Sequence, residues 1–145
     1  MADGATDAAA HIGRAIERTE DSALLNGAAL YADDYPVRAG TLHAAILRSP
    51  HAHADIRNID TSAALARPGV HAVITGEDIK AISDPFLVIL REPLHEWALA
   101  SERVRFTGEA VALVLATDRY RAEDACEYVK VDYAPLPPVV DPARA

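Results

Sequence analysis

Apolar and polar positions along the chain alternate between two periods, and the changes of period mark its elements. The clearest signal lies in the last third. Ala110-Val111-Ala112-Leu113-Val114-Leu115-Ala116 is an unbroken apolar run, the pattern of a strand covered on both faces. Thr117-Asp118 then offers caps for a helix in which Ala122, Ala125, Cys126 and Val129 recur at helical spacing. Val129, Val131 and Tyr133 next alternate with Lys130 and Asp132, which predicts a half-buried strand. Pro135, Pro137, Pro138 and Pro142 end any sheet there, because proline has no amide hydrogen for a ladder.

The first two thirds repeat the theme less strongly. Glu20–Leu25 reads as a short helix, with Thr19 as a candidate cap and Asn26-Gly27 as a left-handed stop. Asp33-Asp34-Tyr35-Pro36 reads as a loop, and Gly40 as a turn before a strand from Thr41 to Arg48 that Ser49-Pro50 closes. A second strand covers roughly 54–59. Asp60-Thr61-Ser62 introduces an Ala-rich helix ended by Pro68-Gly69, and Val70–Thr75 is a third strand. Thr75-Gly76-Glu77-Asp78 has the spacing of a capping box. Between Asp84-Pro85 and Glu92-Pro93 lies a strongly apolar segment, a strand or a loop lying on a partner, with the only tryptophan, Trp97, after it. Two strand–helix–strand pieces predict an α/β (α+β) domain with a mixed sheet and right-handed crossovers. Residues 1–11, small and Ala-rich, read as a disordered tail; 12–142 read as one domain and 143–145 as its exit.

Composition narrows the function classes. With 145 residues the chain suits one domain that can bury a core without staples. Fourteen Lys and Arg against 22 Asp and Glu leave a net charge of −8, which repels phosphate backbones and argues against nucleic acid as a partner. No apolar run reaches the roughly 20 residues that span a bilayer, so no membrane partner is expected. The acidic start is unlike a secretory signal, and the single Cys126 excludes an internal disulfide; that leaves the compartment open, with a reducing cytoplasm the expectation. One thiol also excludes a cysteine-ligated iron–sulfur cluster, which takes about four.

Chemistry-bearing motifs are sparse. Neither Gly-rich phosphate loop occurs, nor a G-x-S-x-G elbow, nor H-E-x-x-H. His51-Ala52-His53 is the one metal-like spacing, since i and i+2 of an extended segment share a side. A tetrahedral site needs further ligands, and Asp55, His43 or His71 would have to supply them. The competing reading is two polar residues satisfied at a strand turn. Arg48 and Glu109 suit a structural ion pair or contacts to a neighbouring domain. Cys126, on an apolar helix face, reads as a small hydrophobe rather than a nucleophile. Taken alone, the residues describe an α/β domain that is not catalytic by itself.

A resemblance adds to this reading. Ile12-Gly13-Arg14, Arg18-Thr19-Glu20-Asp21, Gly27 and Tyr31-Ala32-Asp33-Asp34 stand in order before the most specific stretch, Leu42-His43-Ala44-Ala45 and Arg48-Ser49-Pro50-His51-Ala52-His53-Ala54. Ile59-Asp60-Thr61, Pro68-Gly69-Val70, Thr75-Gly76-Glu77-Asp78-Ile79, Val104-Arg105-Phe106-Thr107-Gly108-Glu109, Ala122-Glu123-Asp124-Ala125 and Val131-Asp132-Tyr133-Ala134-Pro135-Leu136-Pro137 follow. This order resembles the amino-terminal α/β-hammerhead domain of the molybdenum-binding subunit of the xanthine dehydrogenase and aldehyde oxidase family. Ala110 stands where that family usually has proline.

The resemblance implies a parent enzyme that hydroxylates an aldehyde or N-heterocycle with water as oxygen source. It implies molybdopterin, in its cytosine dinucleotide form, and iron–sulfur clusters in that enzyme, none of them held by this chain. The implied partners are a molybdenum-binding domain or subunit and an iron–sulfur subunit. The family's catalytic glutamate and cofactor domains lie beyond these residues, so the chain resembles a fragment, a split-gene subunit or an excised domain. A loop equivalent to residues 83–97 lies near the substrate funnel in similar enzymes. Phe86, Leu87, Leu90 and Trp97 are therefore expected at the funnel edge or packed on the neighbouring domain, beside Arg48 and Glu109. The alternative function is an independent protein-binding or oligomerisation module derived from that domain.

Overall fold

The computed structural model describes residues 13, 15–86 and 95–144. The expected tail at 1–11, and Leu87 and Leu90, lie outside the described residues. The chain divides into two compact units, Met1–Arg38 and Ala39–Ala145.

In the first unit, α1 (Asp21–Leu25) stops at Asn26, with Gly27 in the left-handed region at φ 68°. Thr19 does not cap it. The residue before the helix is Glu20, with no side-chain cap, and Arg18 instead holds the first turn through Asp21 at 3.0 Å. Ala32–Asp34 form a 3-10 turn, closed by the Asp34 carboxylate on the Tyr31 amide at 2.9 Å. No described residue of this unit is buried.

Among its described residues the second unit contains six strands and three α-helices: β1 (His43–Arg48), β2 (Ala54–Asp60), α2 (Ser62–Leu65), β3 (Val70–Thr75), α3 (Gly76–Ile82), β4 (Arg103–Val104), β5 (Ala110–Ala116), α4 (Arg119–Cys126) and β6 (Lys130–Pro135). The strands form two sheets, in the orders β1-β5-β3 and β4-β2-β6. Every pairing among them is antiparallel. The α/β class and the predicted elements stand, but no single mixed sheet forms. Both strand–helix–strand pieces, β2-α2-β3 and β5-α4-β6, carry the chain from one sheet into the other. Periodicity finds the elements and says nothing about which strand is the neighbour.

Each helix boundary has a local cause. In α3, Thr75 and Asp78 exchange bonds across the first turn, with the Asp78 carboxylate on the Thr75 amide at 2.8 Å. In α4, Asp118 accepts from the Arg121 amide at 2.9 Å. Gly69, at φ 84°, makes the turn between α2 and β3 that a side chain would strain, under the Thr117 and Arg121 side chains.

The core is two clusters. Ala64, Ala112, Val114, Ala125 and Val129 form one; Ala54, Ala100, Val104 and Val111 form the other. Ile59 and Val131 pack against both, so the two sheets share one continuous interior. Scarce aromatics are replaced by close Ala and Val contacts, as the composition requires.

Candidate functional site

The Arg48–His53 segment is a junction. Ser49 is 2% exposed, and its hydroxyl both donates to the His51 carbonyl and accepts from the His51 amide, each at 3.0 Å. The Ser49 amide donates to the Glu109 carbonyl at 2.9 Å, and the Gly108 amide donates to the Ser49 carbonyl at 2.8 Å. Arg48 donates to the Gly108 carbonyl at 2.8 Å. This clasp needs the turn at Gly108, whose φ of 90° suits glycine.

The sequence candidates here take separate partners. The His51 ring meets Tyr133 edge to face at 4.9 Å. Burial pushes the Tyr133 hydroxyl's pKa up, partly offset by its hydrogen bond with Ser49. His53 Nδ1 bonds the Pro137 carbonyl at 3.0 Å, while the Leu136 amide donates to the His53 carbonyl at 2.9 Å. The two imidazoles are therefore committed to different segments, and His53 clamps the chain as it leaves β6. Among the described residues no group of three or more His, Cys, Asp or Glu is placed to hold a metal ion. Arg48 and Glu109 do not pair either: the Glu109 carboxylate takes the Arg105 amide.

A cleft of about 210 Å³ lies beside this junction, lined by Lys80, His95, Trp97, Ser101, Arg105 and Glu109 among others. The isolated antiparallel bridge between Phe86 and Glu96 stands at its margin, with the Phe86 amide on the Glu96 carbonyl at 2.8 Å. Phe86 is 61% exposed and Trp97 half-buried.

Two of the cations around the cleft are paired. Lys80 lies 2.9 Å from Glu102 and 3.3 Å from Glu77. Its bond to Glu102 raises the lysine's pKa and lowers that of the glutamate. Arg103 meets Asp55 at 2.6 Å. Both are surface pairs, in which each charge already has a protein partner. Cys126 is half-buried, and burial together with Glu123 pushes its thiol up, away from the reactive thiolate.

Two features here escape sequence reasoning. Arg103–Val104 is a two-residue strand too short to show a period, and Leu99 and Ala100 are buried without lying in a strand or helix. Gly76 is the third contributor: a Cβ there would come within 2.5 Å of the Ala100 carbonyl oxygen. That close approach seats the start of α3 against the cleft's floor.

Comparison with known proteins matches residues 26–137 to the family model of the aldehyde oxidase and xanthine dehydrogenase a/b hammerhead domain. The carbon monoxide dehydrogenase large chain of Afipia carboxidovorans is 45% identical over 129 residues, which are 89% of this chain and 16% of that one. The nicotine 6-hydroxylase large subunit of Paenarthrobacter nicotinovorans is 44% identical over 138 residues, 92% of this chain and 17% of the subunit. Among solved structures, reconstituted CO dehydrogenase from Oligotropha carboxidovorans superposes with a TM-score of 0.80 at 44% identity, covering 92% of this chain and 16% of that one. The chain spans about a sixth of the length of the curated relatives it matches.

Proposed function

Because the chain belongs to the aldehyde oxidase and xanthine dehydrogenase family as its a/b hammerhead domain, we propose that it is the structural and docking domain of a molybdenum hydroxylase. In this reading the parent enzyme works in the cytoplasm and hydroxylates an aldehyde or N-heterocycle with oxygen from water. The partners are a molybdenum-binding domain or subunit and an iron–sulfur subunit. The observation that carries the reading is the domain match itself, joined to a cleft where Lys80 and Arg103 are paired with Glu102 and Asp55.

The residues present do not fit the parent's cofactors. An iron–sulfur cluster takes about four thiolates, and the chain has one cysteine. The pyrophosphate of a cytosine dinucleotide cofactor seeks free amides at a helix start. Here the starts of α3 and α4 are filled by the chain's own Asp78 and Asp118, whose charge would repel it. Molybdopterin and the clusters are therefore assigned to the partner portions, and no chemical step is routed through this chain. Phe86 and Trp97, at the base of the 84–93 segment, are the described residues proposed to meet the partner or edge its substrate funnel.

The test is assembly in trans. A large chain of the Afipia enzyme lacking its own matched segment, co-expressed with this chain, is expected to give a stable one-to-one complex carrying molybdenum. The chain purified alone is expected to contain none. Absence of any complex under conditions where both polypeptides are folded rejects the docking role.

A further inference from the structure

The β1-β5-β3 sheet has two unlike faces. On one side Ala112 and Val114 are fully buried in the cluster that includes Ala64 of α2 and Ala125 of α4. On the other, strand alternation places Leu113 and Leu115. The register sets Ile46 and Ile74 beside Leu113, and Ala44 and Ala72 beside Leu115.

These two rows, Ile46–Leu113–Ile74 and Ala44–Leu115–Ala72, contain no polar side chain. None of the six is buried: Ile46 is 45% exposed, Ala44 is exposed, and the other four are half-buried. An antiparallel sheet that keeps one face in water normally alternates apolar with polar residues. The run Ala110–Ala116 does not alternate, so its composition suits a sheet with two covers, and α2 and α4 supply one. Val111, on the parity of Leu113, marks where cover resumes, being fully buried with Ala54, Ala100 and Val104.

We propose that this face seats the aliphatic side of a helix from the polypeptide that forms the rest of a molybdenum hydroxylase large subunit. The inference rests on the docking role above and names its surface. Size decides the occupant. Three strands about 4.8 Å apart and two rows of side chains give a footprint of roughly 200 Å². A stable interface needs about 800 Å² from each partner, so a free second copy is not held by this patch alone. A helix about 10 Å across fits along it. The relatives' chains, of which this one matches 16%, have the length to bring such a helix while binding elsewhere as well.

The experiment uses the full chain and the Afipia large chain lacking its matched segment. Ile46→Glu and Ala44→Glu lie on an edge strand at exposed positions, and their melting alone is expected to equal the wild type's. Their dissociation constants for the partner are expected to rise at least tenfold, while Asp132→Lys on the other sheet leaves binding unchanged. In a second measurement Ile46→Cys, labelled freely by a maleimide in the isolated chain, becomes protected in the complex. Wild-type complex formation with undiminished binding by both glutamate variants, or labelling at an unchanged rate, overturns this face as the seat. A self-dimer in sedimentation that both variants dissolve overturns it in favour of a second copy. No complex with the wild type removes the docking role and this inference with it.

Discussion

Gly76→Ala is a small change whose effect the geometry sets in sign and size. Alanine normally helps: it restricts the unfolded chain, a gain of about 0.4–1 kcal/mol where the native conformation tolerates it. Gly76 opens α3 with an ordinary φ, so the backbone conformation itself raises no objection. Space does. The added Cβ would lie 2.5 Å from the Ala100 oxygen, 2.7 Å from the Ala100 carbonyl carbon and 2.8 Å from the Ser101 Cα. All three are backbone atoms, so no rotamer change relieves the clash; either α3 or the 100–101 segment must shift.

Overpacking of this kind costs about 1–3 kcal/mol, which outweighs the entropic gain and leaves a net loss of about 1–2 kcal/mol. For an ordered unit of this size that corresponds to a fall in Tm of roughly 4–8 °C. Urea and thermal unfolding of the full chain measure it. Gly40→Ala is the control, with φ 84° and nothing within 4 Å of its Cβ. Its loss comes from the left-handed conformation, about 1–2 kcal/mol, and should leave the Lys80–Glu102 pair intact. A Gly76→Ala protein as stable as wild type, with that pair undisturbed, would show that α3 is not seated against residues 100–101.

Two further outcomes follow from the helix caps. Asp118→Ala removes the acceptor of the Arg121 amide and is expected to lower stability by about 1 kcal/mol, read from the urea midpoint; Asp118→Asn should recover most of it. Asp78 has its pKa lowered from 3.8 by the Thr75 amide and then by the Thr75 hydroxyl. A depressed folded pKa stabilises above the unfolded value, and that contribution is lost as pH falls through the folded one. Stability of the wild type should therefore decline on acidification from about pH 5 to below 3.8, and Asp78→Asn should flatten that slope; an equal slope in both proteins would refute it.

The sequence was most legible where a period runs long enough to count. The Ala110–Ala116 run, the Asp118 cap and the Thr75–Asp78 box were each found with their physical cause, because cap and period are local properties. Pairing is not local. Nothing in the residues of β5 and β6 announces that α4 carries the chain to a second sheet. His51 and His53 looked like ligands because their spacing fits one; only the structure shows that Tyr133 and the Pro137 carbonyl engage them. Arg48 and Glu109, candidates for an ion pair or for contacts to a neighbouring domain, each bond backbone instead of each other. Thr19 failed as a cap because Arg18 and Asp21 already close that turn.

The strand orders also constrain how this unit comes into being. Among the described residues β1 and β3 pair with β5 alone, and β2 finds its long partner in β6. A growing chain that has emerged as far as residue 109 therefore owns four strands and no completed sheet beyond the two-residue contact of β2 with β4. The central strand arrives almost last, and Ile59 and Val131 lock both interiors together only when β6 is in place. The long pairings of both sheets therefore wait on the last third of the chain, a topology of non-local contacts that slows folding.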